Sequence, residues 1–124
     1  MKANNRSFGA WGEKMAEEYL KQKKYKFIDR NFNSHYGEID LIFFDKLKNE
    51  LVFVEVKTRC SQNFGYPEDS INPKKIDHLQ KTINFFLEKN IFFQKYSYRL
   101  DVIAIELGEN KKTLIKHLEN IALV

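Results

Sequence analysis

An acidic pair and a nearby lysine in the middle of the chain have the residue types and spacing of a hydrolytic site. Asp40 lies in the segment GEIDLIFFD, and Glu55 and Lys57 lie in the next apolar segment, ELVFVEVKT. Two carboxylates together can hold a hard divalent cation such as Mg²⁺, which binds carboxylate and water oxygens. A lysine beside metal-bound water can orient that water or stabilise charge that develops on a phosphate. The pattern therefore predicts the parts of a metal-dependent phosphodiester hydrolase.

Whether the acids meet depends on how these two segments pair. Both are rich in Ile, Val and Phe, so Gly37–Asp45 and Glu50–Thr58 are predicted to be strands. The polar connection Lys46–Asn49 between them is short, which predicts an antiparallel hairpin. The hairpin is therefore the element that must position the candidate site.

The register of this hairpin separates two interpretations. Pairing Asp45 with Glu50 places Asp40 opposite Glu55 on one face, whereas a shift of one residue sends the two acids to opposite faces. In the first register Ile42 faces Phe53 and Phe44 faces Leu51 on the same side as the acids, and this pattern favours that register. The apolar neighbours of Glu55 favour a catalytic role, since an idle charge among them is costly. The alternative is an ordinary cross-strand ion pair at a solvated face, in which Glu55 and Lys57 carry no chemistry.

Glu38 adds a third acid to the predicted face. In the same register it lies opposite Lys57. It is then either an outer acid of the metal site or the ion-pair partner of that lysine. A cluster of three acids on one face is denser than surface salt bridges require, which favours a site.

Two helices are predicted, one on each side of the hairpin in sequence. Ser7–Lys24 has apolar residues at helical spacing, with Ser7 as its N-cap. Gly9 and Gly12 weaken this helix, which predicts that something approaches its backbone closely. The second helix begins at Asn72 and Pro73, as N-cap and first helical residue, and runs to about Lys89.

Three further strands complete the predicted elements: Lys26–Phe32, Tyr98–Glu106 and Thr113–Leu118. Arg99 and Asp101 share one face of the second of these strands, where an ion pair is favoured over a DNA contact by Arg99. Together the elements predict an α/β domain whose central mixed sheet contains the antiparallel hairpin and is flanked by the two helices.

Composition limits the class of protein. The chain has 124 residues, is 43% hydrophobic and has a net charge of +4, which predicts one folded domain over residues 1–124 and permits a polyanionic partner. Residues 31–60 reverse the sign, with five acidic and four basic side chains. Cys60 is the only cysteine, so a reducing compartment fits. The apolar runs are too short to span a bilayer, and we expect a cytoplasmic protein with no membrane partner.

Ordered motifs along nearly the whole chain indicate a family. They are GAWGEKMAEEYL (Gly9–Leu20), Asn31 followed by GEIDLI (Gly37–Ile42) and FVEVKTR (Phe53–Arg59), FGYPEDSINPKK (Phe64–Lys75) and YRLDVIAI (Tyr98–Ile105). In these motifs the sequence resembles the YraN-like family of small, functionally uncharacterised bacterial proteins. That family looks like a branch of the restriction-endonuclease-like PD-(D/E)xK fold and is similar to archaeal Holliday-junction resolvases.

The resemblance implies roles for particular residues. An acid on the first helix, an Asp on the second strand and E-x-K on the third correspond to Glu13, Asp40, Glu55 and Lys57. Asp40 and Glu55 would hold Mg²⁺ or Mn²⁺, with Glu13 and the backbone carbonyl of Val56 as further ligands, and Lys57 would act on the water or the phosphate. Glu13 could bind the metal directly, through water or at a second site; otherwise it is a helix acid paired with a neighbouring lysine.

Several basic and polar residues are predicted to contact a nucleic-acid backbone. Thr58 and Arg59 follow the E-x-K motif, although a solvated strand-end cation is an equal alternative for Arg59. Lys74 and Lys75 lie in the first turn of the second helix, where the helix N-terminus also attracts phosphate. Gln80 lies further along the same helix and would extend that contact.

The function that combines these features is that of a nucleic-acid-binding protein and metal-dependent endonuclease acting on DNA, with branched DNA as a candidate substrate. The alternative is a nucleic-acid-binding module with a dormant site that acts through partner proteins, and a third reading is a purely structural scaffold. Junction-type nucleases often act as two-fold dimers, and Phe92, Phe93 and Tyr96 offer apolar surface for a homodimer.

Overall fold

A five-stranded sheet carries one long helix on each of its faces. The computed structural model describes residues 5–60 and 72–121. Its helices are α1, Asn5–Gln22, and α2, Pro73–Lys89, with short 3-10 helices at Ile91–Lys95 and Glu109–Lys111. Its strands are β1, Lys26–Ser34; β2, Gly37–Asp45; β3, Glu50–Cys60; β4, Ser97–Leu107; and β5, Thr113–Ile121. The predicted loop over residues 62–70 lies outside the described residues.

The strands lie in the sheet in chain order. The pairs β1–β2, β2–β3 and β4–β5 are antiparallel, and β3–β4 is parallel because α2 connects them across one face of the sheet. This mixed sheet with two flanking helices confirms the predicted α/β class. Side chains alternate between the faces, so each helix covers its own apolar core.

The β2–β3 hairpin has the predicted register. Asp45 lies opposite Glu50, and the ladder continues to Leu41 opposite Val54. Asp40 would be the next residue of β2 in this ladder, but the two strands diverge there. Strand β3 instead continues along β4 over its whole length. The register therefore brings the acids to the mouth of a gap between β2 and β3, and not into a regular ladder.

Helix α1 differs from the prediction at both ends. It begins at Asn5, so Ser7 lies inside the helix and is not its N-cap. It ends at Gln22, and Lys24 then has a positive φ of 71°, typical of a chain leaving a helix. Several short polar residues near the start of a helix can each act as its N-cap, and here the helix begins before Ser7.

Helix α1 packs closely on the sheet at Gly12. A Cβ atom at this position would lie 2.9 Å from Thr58 Cγ2, and closer still to Thr58 Oγ1. Nothing lies within 4 Å of the corresponding position at Gly9. The predicted close approach is therefore confirmed at Gly12 and wrong at Gly9. Ala16 and Leu20 continue this contact and are completely buried.

Helix α2 follows its prediction closely. The side chain of Asn72 caps it by accepting a hydrogen bond from the backbone N–H of Lys75 at 2.9 Å, and Pro73 opens the first turn. Its buried residues are Leu79, Thr82, Ile83 and Phe86. This stripe packs on the face of the sheet that α1 leaves open, and it holds the N-terminus of α2 beside the gap between β2 and β3.

A buried charge network occupies the opposite end of the sheet. Arg99 is 3% exposed and donates to Asp101 and Asp45, at 2.9 and 3.0 Å. It also donates to Glu50 at 2.9 Å and to Glu119 at 3.2 Å. We call these five residues the Arg99 cluster. The predicted Arg99–Asp101 ion pair is confirmed, and a DNA contact by Arg99 is excluded because its guanidinium is buried.

Candidate functional site

The site forms where β2 and β3 diverge. Asp40 is 9% exposed, and its Oδ2 accepts a hydrogen bond from the backbone N–H of Val56 at 2.7 Å. A side-chain carboxylate thus replaces the main-chain partner that a continued ladder would supply. This bond fixes the orientation of Asp40 at the edge of β3 and brings it to the Glu55 carboxyl.

Asp40 and Glu55 form a close carboxyl pair, as the register predicted. Burial raises the pKa of Asp40 far above its ordinary range, and the charge of Glu55 and a hydrogen bond with it raise that pKa further. The N–H of Val56 lowers the pKa of Asp40, but by less. Without a cation, therefore, the two carboxyls retain a proton between them near neutral pH.

One oxygen of this pair is poorly satisfied. Glu55 Oε2 is buried and accepts no hydrogen bond from the residues that the structure describes. Lys75 Nζ from the first turn of α2 lies 3.3 Å away, as an ion-pair contact without hydrogen-bond geometry. Buried carboxylate oxygens are normally hydrogen-bonded or metal-bound, so this oxygen marks the position that a further ligand would fill.

Glu13 and Glu38 extend the acidic cluster toward α1. In the orientation that faces these acceptors, the side-chain amide of Asn31 donates to Glu13 Oε1 at 2.9 Å and to Glu38 Oε1 at 3.1 Å. Burial raises the pKa of Glu13, and the charges of Glu38 and Glu55 raise it further. The structure therefore brings Glu13 into electrostatic contact with the predicted site. Asn31 is a site residue whose role the sequence reasoning missed.

A cavity of about 350 Å³ lies on the α1 side of these acids. Its lining includes Glu13, Glu17, Arg30 and Asn31. Arg30 forms two hydrogen bonds with Glu17, at 2.9 and 3.0 Å, and these lower the pKa of Glu17. Among the described residues that line this cavity, Glu17 is therefore paired with an arginine, whereas Glu13 has no ion pair.

Lys57 lies two residues beyond Glu55 on the exposed part of β3. Its predicted ion pair with Glu38 is not formed, because β2 and β3 have already separated at that level. Across the sheet, Lys57 is level with Ala104 of β4 and Lys116 of β5. Directly paired residues share a face, so the two lysines flank a small side chain. Sequence spacing could not reveal Lys116, because its position depends on the β4–β5 pairing.

The remaining predicted nucleic-acid contacts fall into two groups. Lys74 is exposed at the start of α2, next in sequence to Lys75, whose Nζ lies 3.3 Å from Glu55 Oε2. Thr58 instead packs against Gly12, and Gln80 donates to Tyr98 Oη at 2.9 Å and to Asn84 at 3.0 Å.

Packing and hydrogen bonds inside the fold engage the side chains of Thr58 and Gln80, and phosphate contacts by these two residues stay predictions. Arg59 is 8% exposed, which overturns the alternative of a solvated strand-end cation. It lies opposite Glu106 in the β3–β4 register. Arg59 is thus held within the fold beside Lys57, and not at a free strand end.

The donor set fits a hard cation better than a soft one. Within residues 5–60 and 72–121, no three Asp, Glu, His or Cys side chains are assembled as a complete metal site. Mg²⁺ does not need such a set, because it usually binds one or two carboxylates and keeps several waters. Asp40 and Glu55 are the carboxylates that could hold such an ion. The carbonyl of Val56, on the same strand edge as the N–H that meets Asp40, could be a further ligand.

Comparison with known sequences extends these observations. The sequence profile of the uncharacterised protein family UPF0102 matches residues 12–105, which include every acid of the site. A UPF0102 protein of Syntrophomonas wolfei is 44% identical over 117 residues, covering 94% of this chain and 97% of the relative. A UPF0102 protein of Caldanaerobacter subterraneus is 40% identical over 121 residues, covering 96% and 97%. No helix of the described residues is long and apolar enough to span a membrane.

Proposed function

This chain belongs to the uncharacterised protein family UPF0102, the YraN-like family, and we propose that it is a nucleic-acid-binding, metal-dependent endonuclease that hydrolyses DNA phosphodiester bonds. The observation that carries the proposal is the Asp40–Glu55 carboxyl pair with a buried, unsatisfied oxygen on Glu55. We further assign the mixed sheet and its two flanking helices to the restriction-endonuclease-like PD-(D/E)xK class, to which the archaeal Holliday-junction resolvases belong. Branched DNA is therefore included among the candidate substrates.

In this proposal Asp40 and Glu55 hold Mg²⁺ or Mn²⁺, and the carbonyl of Val56 completes the protein ligands. The bound cation supplies charge that polarises the scissile phosphate and lowers the pKa of a coordinated water. The N–H of Val56 keeps Asp40 aligned without using its second oxygen. Glu13 acts from α1, where Asn31 orients it, and its raised pKa suits it to hold a proton close to the reacting groups.

Lysines around the acids supply the contacts with the phosphate chain. Lys57 is close enough along β3 to orient the attacking water or to stabilise the charge on the phosphate. Lys75, which lies 3.3 Å from Glu55 Oε2, would be available for a phosphate contact next to Lys74 if a bound cation balanced the charge of Glu55. Lys116 lies level with Lys57; its Nζ is 3.2 Å from Glu106 Oε1, but its side chain is 48% exposed and extends this basic surface across the sheet.

A second candidate is a nucleic-acid-binding module with a dormant site that acts through partner proteins. The observation that favours it is that the described residues do not assemble three acidic, histidine or cysteine ligands at one point. In that case the lysines Lys57, Lys74, Lys75 and Lys116 bind nucleic acid. The acids then only repel phosphates from their own part of the surface. The two candidates share the binding surface and differ in the need for a metal.

Cleavage of labelled DNA separates the two candidates. Four-way junction, single-stranded and duplex DNA are incubated with the protein in Mg²⁺, Mn²⁺ or EDTA. We expect metal-dependent cleavage that falls by at least about 100-fold in Asp40→Ala and in Lys57→Ala. The matched controls Asp77→Ala and Lys112→Ala change exposed residues that have no role in the proposal, and these variants should cleave normally.

Salt-dependent binding without cleavage on every substrate would favour the module. Absence of both binding and cleavage would contradict both candidates. Binding should weaken as salt rises, because phosphate contacts release counterions. It should also weaken in Lys74→Ala and Lys116→Ala, with no change in the metal requirement.

A further inference from the structure

An apolar groove lies at the end of the sheet away from the acids. Its volume is about 240 Å³, and its lining residues are Lys26, Ile28, Phe44, Lys46, Phe92, Phe93 and Tyr96. Phe44 follows Asp40 by four residues on β2, which places the groove roughly 13 Å along the strand from the acidic site. The groove is therefore a separate feature and not an extension of that site.

Large apolar side chains surround this groove without being buried. Phe92 is 63% exposed, its neighbour Ile91 is 74% exposed, and Leu47 in the adjoining hairpin turn is 96% exposed. The 3-10 helix that carries the first two is already anchored by Phe93, whose ring stacks on Phe86 with centroids 6.0 Å apart. Folding does not require Ile91 and Phe92 to be apolar, and a cluster of this kind marks an interaction surface.

The rim of the groove is basic. Lys26 and Lys46 line it, and Lys95 Nζ lies 4.4 Å from the ring centroid of Phe92. No acidic residue is among the lining residues. The nearest carboxylates of the hairpin, Asp45 and Glu50, are engaged by Arg99 in the Arg99 cluster. The positive charge of the rim is therefore left to attract an anionic partner.

We infer that this groove is a docking surface for an acidic protein segment that carries an apolar side chain. The apolar side chain enters the space between Phe44, Phe92 and Tyr96. Its flanking carboxylates meet the lysines of the rim. Apolar burial supplies the affinity and charge complementarity supplies the selectivity, which is the usual division at such surfaces.

A second copy of the chain fits this surface less well. In a two-fold dimer the same patch meets itself, so Lys26, Lys46 and Lys95 would face their own copies. Nucleic acid also fits less well, because base stacking needs free aromatic faces. Lys95 Nζ lies over one face of the Phe92 ring, and the ring meets Phe93 edge-to-face at an interplanar angle of 83°.

The probe for this inference is a fluorescein-labelled peptide of sequence Asp-Asp-Leu-Asp-Asp-Phe-Asp-Asp, titrated with the full chain and followed by fluorescence anisotropy. We expect saturable binding that weakens by at least about tenfold in Phe92→Ser and in the double variant Lys46→Glu/Lys95→Glu. The double variant Lys111→Glu/Lys112→Glu makes the same charge change in the β4–β5 connection and should bind the peptide at least about tenfold more tightly than the first pair.

Two control peptides separate the parts of the interaction. Replacing the aspartates with asparagine, or Leu and Phe with glycine, should each weaken binding by at least about tenfold. Equal losses in both lysine double variants, or no loss in Phe92→Ser, would overturn the inference. So would competition by oligothymidylate for the groove, or a dimer in sedimentation velocity that Phe92→Ser dissociates. All of the changed side chains are exposed, and circular dichroism verifies folding.

Discussion

Replacing Asp40 with asparagine removes an ionisable group from the buried carboxyl pair while keeping its shape. The asparagine oxygen can still accept the hydrogen bond from the N–H of Val56, and its amide can donate to Glu55. We therefore expect the metal-free Asp40→Asn variant to be more stable than the wild type at neutral pH. This result would be unusual for a buried polar substitution, since most of these destabilise a protein.

The magnitude follows from proton linkage. The pKa of Asp40 is raised in the folded protein, so above about pH 4 the folded state holds a proton that the unfolded chain has released. The free energy of unfolding then falls as pH rises, by at most about 1.4 kcal/mol per pH unit for one proton. Between pH 5 and 7 the wild type should lose up to about 2.7 kcal/mol relative to Asp40→Asn.

Urea unfolding in EDTA, followed by far-UV circular dichroism at pH 5, 6 and 7, measures this difference. Asp77→Asn is the matched control, because Asp77 is an exposed helix acid whose pair with Lys81 contributes under about 0.5 kcal/mol. Adding Mg²⁺ at pH 7 should stabilise the wild type by about 1.4 kcal/mol when its concentration is ten times the Kd, and should leave Asp40→Asn unchanged. Equal pH slopes for the wild type and Asp40→Asn, or destabilisation of that variant at pH 7, would refute the reasoning.

Three further predictions concern the fold. Gly12→Ala should lower the free energy of unfolding by about 1–3 kcal/mol, because its Cβ would overlap Thr58. Gly9→Ala should raise it by up to about 1 kcal/mol, because nothing lies close to that position. Urea unfolding compares the two variants, and recovery of stability in Gly12→Ala/Thr58→Ala checks the cause. Arg99→Met should lower the free energy of unfolding by about 3–5 kcal/mol, because it leaves buried carboxylates unpaired. Arg30→Met removes one partner of an exposed ion pair and should lower it by under about 1 kcal/mol in the same assay. The pKa values of Asp45 and Asp101 in the Arg99 cluster are lowered in the folded protein. These two carboxylates therefore stabilise the fold above about pH 4, and this stabilisation is lost as the pH falls further. Acid titration should show this loss in the wild type, and an Arg99→Met variant should show less of it.

Local sequence features predicted the parts of the fold that depend on neighbouring residues. The hairpin register follows from alternating apolar side chains and a polar connection, and the structure has that register. The start of α2 follows from Asn72 and Pro73, whose cap and ring geometry act within one turn. The same kind of local signal gave a wrong N-cap at Ser7, because a residue that can cap a helix does so only if the helix begins there.

Side chains whose surroundings come from distant elements were less predictable. Thr58 looked available for phosphate, but α1 packs against it through Gly12. Gln80 looked like a surface contact, but Tyr98 of β4 binds its amide. Lys116 carried no local signal, and Asn31 stood out only as part of a family motif, with no indication of its contacts. Lys116 is level with Lys57 only through β4, and Asn31 reaches Glu13 only because α1 packs next to β1 and β2.

The sequence by itself determined which acids could share one strand face, because side-chain alternation along a hairpin is a local property. Only the tertiary structure decided what that proximity means. It separated β2 from β3 just beyond Leu41, placed the N–H of Val56 on Asp40, and brought Lys75 from the first turn of α2 to Glu55. Burial raises the pKa of Asp40 according to how many atoms surround the carboxyl, and Coulomb repulsion raises it according to the distance to Glu55. Spacing along the chain encodes neither quantity.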